Sequence, residues 1–263
     1  MPQFLQLNDS GTQRAVLVQS LTEQMRQIEG TRWKAGAGEV VSSGDATLDT
    51  LLPDRGFRRG ALVEWLGKND ASGAGTLALV AAREALATGG ALVVFDRARK
   101  FYPPAALALG IPLEQLILVR PRNQADQDWA LDQVLRSRGV AVAWCAVERT
   151  DDHAFRRWQL AAESSGVMGF LLRGPQARGE SSWAEVRLGI EPLAGPRDEP
   201  SRTRRLRVEL LRARTGQTGR AIELELPESR AWYHGRDKHH ETGALHLAPS
   251  MAPAATRRRS RRA

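Results

Sequence analysis

Residues 67–76, "GKNDASGAGT", stand between an apolar segment, "ALVEWLG" (61–67), and a helix-like run, "TLALVAAREALATG" (76–89), closed by Gly89. Strand, glycine-rich turn and helix N-terminus, in that order, are where a nucleotide-binding protein places its phosphate loop. Beyond it the pattern repeats. "ALVVFD" (91–96) reads as a strand, and "PPAALALG" (103–110) as a helix whose prolines suit the first turn. "QLILVR" (115–120) is the next strand, and "NQADQDWALDQVLRS" (123–137) a helix able to turn Trp129, Leu131, Val134 and Leu135 toward a core. "GVAVAWCAV" (139–147) is apolar nearly throughout, as a central strand covered on both faces must be. A helix follows over 151–166, with Asp151 or Asp152 as its cap, and then the strand "VMGFLLR" (167–173). This alternation predicts an α/β fold: a mostly parallel twisted sheet flanked by helices.

After residue 180 the pattern changes. "WAEVRLGIEPL" (183–193), "RRLRVELLRART" (204–215) and "GRAIELELP" (219–227) alternate apolar with charged residues, as antiparallel edge strands with one wet face do. Three regions result: an N-terminal helix and linker (1–35), a core (40–228), and a flexible basic C-terminal tail (229–263). Within 12–29, Val18, Leu21, Met25 and Ile28 fall on one face of a helix, which either packs on the core or docks on a partner.

The 263 residues suffice for one sizeable domain with extensions. No apolar run is long enough to span a bilayer, and the N-terminus lacks the charged-then-apolar order of a secretory signal, so a cytoplasmic, nucleoid-associated protein is expected. The single cysteine, Cys145, lies inside an apolar strand and reads as a buried thiol. His234, His239, His240 and His246 lack the rigid spacing of a metal site, and no metal is expected. The net charge of +8 points to an anionic partner, first of all nucleic acid. Arg257, Arg258, Arg259, Arg261 and Arg262 crowd the last fifteen residues without an acid, and removing them lowers the net charge to +3. They are the first candidates for contact with DNA phosphates, and Arg202, Arg204, Arg205 and Arg207 the second. Such contacts give affinity without sequence preference.

The loop itself departs from G-x-x-x-x-G-K-[ST], whose lysine neutralises phosphate and whose hydroxyl holds magnesium. Ser72 and Gly73 are in place, but Ala74 stands where the lysine belongs and Gly75 where the hydroxyl belongs. The step from Gly67 to Gly73 is also one residue too long. Thr76 could still supply a hydroxyl and Lys68 could reach in from the loop's start, which keeps an atypical ATPase open as an alternative. The favoured reading is a tight turn capping a helix, with no bound cofactor.

The stretch from Ser43-Gly44 through Leu48-Asp49, Leu51-Leu52, Gly56-Phe57 and Gly60 to the loop resembles the entry to the core of RecA, the recombinase. "ALVVFDRARKFYPPAALALGI" and the three late strands continue the likeness in order, over about 40–228. The resemblance implies that a glutamate base should follow Asp96 by two residues, where Ala98 stands. It also implies a magnesium-linked aspartate at the position of Trp144. Glu148 is the nearest conceivable substitute. Such losses, together with the length, the N-terminal helix and the basic tail, make the chain resemble the ImuA family. That resemblance implies an accessory role in SOS mutagenesis without ATP hydrolysis. The implied partners are an ImuB-like Y-family polymerase homologue, an error-prone replicative-type polymerase, RecA and DNA. A SulA-like inhibitor of the division protein FtsZ is a further alternative, although chains similar to SulA are much shorter and the long arginine-rich C-terminal region here fits them poorly.

Overall fold

The computed structural model describes residues 39–69, 71–193, 203–214 and 218–227. The expected N-terminal helix with Val18, Leu21, Met25 and Ile28 lies outside these residues, as do Arg202, the four histidines and the tail arginines.

The described chain opens with β1 (Val40–Val41), α1 (Ala46–Leu51), β2 (Phe57–Arg58) and β3 (Leu62–Gly67). Then come α2 (Ala74–Leu86), β4 (Ala91–Phe95), α3 (Pro103–Ala108), β5 (Leu116–Val119) and α4 (Gln124–Leu135). β6 (Val140–Ala146), α5 (Asp152–Ser165), β7 (Met168–Arg173), β8 (Val186–Pro192), β9 (Thr203–Ala213) and β10 (Ala221–Pro227) complete it. β1 and β2 form a small antiparallel ribbon, and eight strands form one sheet in the order β10-β9-β8-β3-β7-β6-β4-β5.

Local chemistry sets the element boundaries. Asp45, Asn123 and Asp151 each take an N–H of the first turn with a side-chain oxygen, which caps α1, α4 and α5. Gly166 ends α5 in the left-handed conformation, φ 85°. The Ser43-Gly44…Leu48-Asp49 pattern also has a physical basis. The Asp49 carboxylate accepts from the Ser43 N–H at 2.8 Å and the Ser42 hydroxyl at 2.6 Å, while Leu48 is fully buried.

From β8 to β5 all neighbouring strands run parallel, and β9 and β10 join antiparallel. The late strand over 186–192, expected as an antiparallel edge, pairs in parallel with β3 on one side and antiparallel with β9 on the other. The direction of the sheet therefore changes one strand later than its alternating sequence suggested. β3 and β4 are buried along their whole length, as apolar central strands require. One core lies under α1 and α2, and Phe57, Trp65 and Phe170 meet edge to face there at 5.4–5.9 Å. The other core lies under α4 and α5 and contains Cys145. Burial pushes that thiol well above its ordinary range, which keeps it unreactive.

One charged residue interrupts the buried β3. Glu64 has no exposed surface, and its carboxylate accepts from Arg173 of β7 at 2.8 Å and from Ser182 at 2.7 Å. It also pairs with Arg187 of β8 at 2.6 Å. Arg173 reaches on to Glu180 at 2.5 Å, and Arg187 donates to the carbonyl oxygens of Glu180 and Ala177. Two carboxylates and two guanidinium groups therefore balance inside the protein, and they tie the connection 174–185 to the sheet. Removing one partner of a buried pair leaves an uncompensated charge, so Glu64→Gln is expected to cost about 3–5 kcal/mol. The check is the midpoint of urea unfolding. Glu180→Gln, at the half-exposed rim, is expected to cost less, and equal midpoints for both variants and wild type would refute the network.

Candidate functional site

The loop after β3 sits at the carboxyl end of the parallel strands, where ligands bind in open α/β sheets. Its backbone is closed on itself. The Ser72 N–H donates to the Asn69 carbonyl at 3.1 Å and the Ala71 N–H to the Asn69 side-chain oxygen at 3.1 Å. The Ala74 N–H leans on the Ser72 hydroxyl at 3.4 Å. In a working phosphate loop such amides face an anion; here the loop's own oxygens take them.

Side chains fill the space around its glycines. Ser72 is buried beneath Gly67, where a Cβ would meet its hydroxyl at 2.2 Å. Gly73 caps α2 in the left-handed conformation, φ 91°, and a Cβ there would lie 2.7 Å from Leu206 of β9. Over Gly75, Leu172 and Trp144 stand 3.3 and 3.4 Å from the position of a Cβ. Trp144 packs edge to face on Phe101 at 5.8 Å. Trp144, where the RecA resemblance implies a magnesium-linked aspartate, is a bulky ring lying against the first turn of α2.

The other positions that the resemblance singles out have the following surroundings. Asp96 is buried and accepts from the N–H groups of Lys100 at 2.7 Å and Phe101 at 3.1 Å, so it fastens the turn after β4. Ala98 is exposed. Glu148 points to solvent and pairs with Arg97 at 3.0 Å. Lys68 is exposed and lines a cavity of about 200 Å3 with Arg178, Glu191, Arg207 and Glu209. Thr76 is not among that cavity's walls.

The arginines of β9 divide between the two faces of the sheet. Arg205 and Arg207 share one face, and Arg204 lies on the other with buried Leu206. Acids interleave them: Arg205 pairs with Glu223 at 2.8 Å, and Arg207 sits opposite Glu223 on one neighbour and Glu191 on the other. Glu64, Arg173 and Arg187 are the charged residues that reading the sequence passed over. Their signal was a charge inside an otherwise apolar strand, in "ALVEWLG", "FLLRGP" and "VRLGI".

Comparisons with known proteins agree with this architecture. The RecA N-terminal domain family matches residues 27–149. Protein ImuA of Caulobacter vibrioides is 34% identical over 197 residues, which make up 68% of this chain and 81% of that protein. Protein RecA of Arthrospira platensis is 36% identical over 140 residues, 53% of this chain but 36% of that protein. Among solved structures, the RadB recombinase superposes with a TM-score of 0.57 at 18% identity, covering 72% of this chain and 97% of that one, and this shows the fold alone. The fold is RecA-like.

Gly73 provides a test of the loop's structural role. Gly73→Ala combines a disfavoured φ with a contact on Leu206, and is expected to cost about 1–3 kcal/mol of stability. Lys68→Ala, on the surface, is expected to leave the unfolding midpoint within about 0.5 kcal/mol of wild type. A stable Gly73→Ala variant would contradict the packing of Leu206 against the loop.

Proposed function

This chain belongs to the ImuA family of RecA-like proteins, and on that premise we propose that it is a non-catalytic accessory factor in error-prone translesion DNA synthesis during SOS mutagenesis. The observation that carries the reading is the loop. Its Ala71, Ser72 and Ala74 amides are taken by Asn69 and Ser72, and Trp144 covers Gly75. Phosphoryl transfer is positioning plus electrostatics, so a site with Ala74, Ala98 and Trp144 in the three charged positions lacks the means to perform it.

A core that keeps the shape and gives up hydrolysis acts by contact. Its partners are an ImuB-like Y-family polymerase homologue, an error-prone replicative-type polymerase and RecA, in the cytoplasm at the nucleoid. Val18, Leu21, Met25 and Ile28 form one contact with the protein partners. DNA is held without sequence preference by Arg257, Arg258, Arg259, Arg261 and Arg262. Arg202, Arg204, Arg205 and Arg207 assist them, although the acids of β8 and β10 beside Arg205 and Arg207 reduce what those two contribute.

Two experiments test this. Removal of residues 1–38 is expected to abolish binding to the ImuB-like partner while the core's unfolding transition persists; retained binding would remove the N-terminal helix from the interface. Removal of residues 249–263 is expected to flatten the dependence of DNA affinity on salt, by nearly one unit of slope for each phosphate that is no longer neutralised. An unchanged slope would show that the tail does not touch DNA.

A further inference from the structure

The cavity beside Lys68 lies across the sheet from α2. Side chains alternate along β3, so Leu66 and Lys68 share the face of Glu64, while Val63 and Trp65 enter the core under α1 and α2. β8 brings Arg187, Gly189 and Glu191 to that face, and β9 brings Leu211, Glu209 and Arg207. Two irregularities open a hollow there. Gly189 stands inside β8 with a φ outside the left-handed region, so no backbone constraint asks for glycine. A strand-interior glycine of this kind is found where a ligand or another backbone comes close. On β9 the register slips opposite Arg187 and Leu188, and the residue it skips, Leu211, leans over Gly189, 3.3 Å from the position of a Cβ. Leu66, Pro175 and Leu211 give the hollow an apolar wall.

Charged groups form its rim. Arg178 pairs with Glu209 at 2.9 Å, and Glu223, opposite Arg207 on β10, is taken by Arg205 at 2.8 Å. Lys68, Glu191 and Arg207 form a row across β3, β8 and β9, since Gly67 pairs with Ile190 and Glu191 with Arg207. None of these three has an ion-pair partner among the described residues. Two cations thus flank one acid beside an apolar wall. Such a rim selects its ligand. Glu191 and Glu209 oppose a polyanion, and the volume of about 200 Å3 is below the roughly 300–1,000 Å3 of sites for whole cofactors. A ligand that answers every group has one carboxylate for Lys68 and Arg207, an N–H close to it for Glu191, and an apolar side chain for the wall. The last residue of a polypeptide carries all three on one carbon atom.

We propose that this cavity binds the C-terminal residue of a partner polypeptide that ends in an apolar side chain. The carboxylate lies between Lys68 and Arg207, the terminal N–H donates to Glu191, and the side chain rests against Leu66 and Leu211. Charge-assisted bonds to the carboxylate hold the chain end, and Gly189 leaves the room for it.

Fluorescence anisotropy of the full chain with a hexapeptide, Gly-Ser-Gly-Ser-Val-Leu, labelled at its N-terminus and free at its carboxylate, tests the proposal. Saturable binding is expected below about 1 mM peptide. The same peptide with a C-terminal amide is expected to bind about tenfold more weakly, and so is the free acid to Lys68→Ala or Arg207→Ala. Both residues are exposed, and both variants should melt with wild type. Gly189→Val fills the hollow and is expected to abolish binding. Absence of binding to wild type, equal affinity for acid and amide, or charge variants that bind like wild type would each overturn the proposal. So would N-acetyl-leucine binding as tightly as the peptide, which would assign the cavity to a free acid. The test uses no DNA and no protein partner, so its outcome is independent of the accessory role proposed above.

Discussion

A carboxylate in the middle of a fully buried strand constrains the whole sheet. Glu64 cannot stay ionised inside an apolar core unless its neighbours answer it, and Arg173 and Arg187 answer from the strands on either side. Such a network is satisfied in one register only. A slip of one residue in β7 or β8 would turn a guanidinium to the opposite face and strand three charges. Through Glu180, Ser182 and the carbonyl of Ala177, the same network draws the connection 174–185 across the sheet. That connection carries Arg178 beside the loop and Trp183 at the opposite end of the strands. The placement of both residues therefore depends on a charge cluster that is buried at its centre.

The loop after β3 belongs to the same logic of satisfaction. A phosphate loop leaves amides unpaired so that an anion can complete them. Here Asn69 and Ser72 complete them from within, and Leu206, Leu172 and Trp144 take up the surrounding volume. Two of the positions that the RecA resemblance singles out also contribute to packing and to the turn. Trp144 adds packing with Phe101 and α2, and Asp96 fastens the turn that follows β4.

Much of this was legible in the sequence because it is local. The helix cap at Asp151, the apolar run of β6 and the alternation of β9 and β10 each follow from residues a few positions apart. That Ala74, Ala98 and Trp144 stand where the RecA resemblance implies a lysine and two carboxylates is likewise read from the sequence alone. What could not be read depends on distant partners. Glu64 meets Arg173 across 109 positions and Ser182 across 118, and no spacing rule joins them. The parallel pairing of β8 with β3 was hidden for the same reason, since its alternation looks the same whichever neighbour it takes. The arginines of β9 looked like one basic stripe until the register placed Glu191 and Glu223 opposite Arg207.

Whether the loop holds a nucleotide decides between an accessory protein and an ATPase. Isothermal titration of the full chain with ATP and magnesium measures this directly. A loop whose Ala71, Ser72 and Ala74 amides are taken by its own oxygens predicts no heat of binding up to millimolar nucleotide, for wild type and Lys68→Ala alike. Micromolar, magnesium-dependent binding that disappears in Lys68→Ala would contradict it.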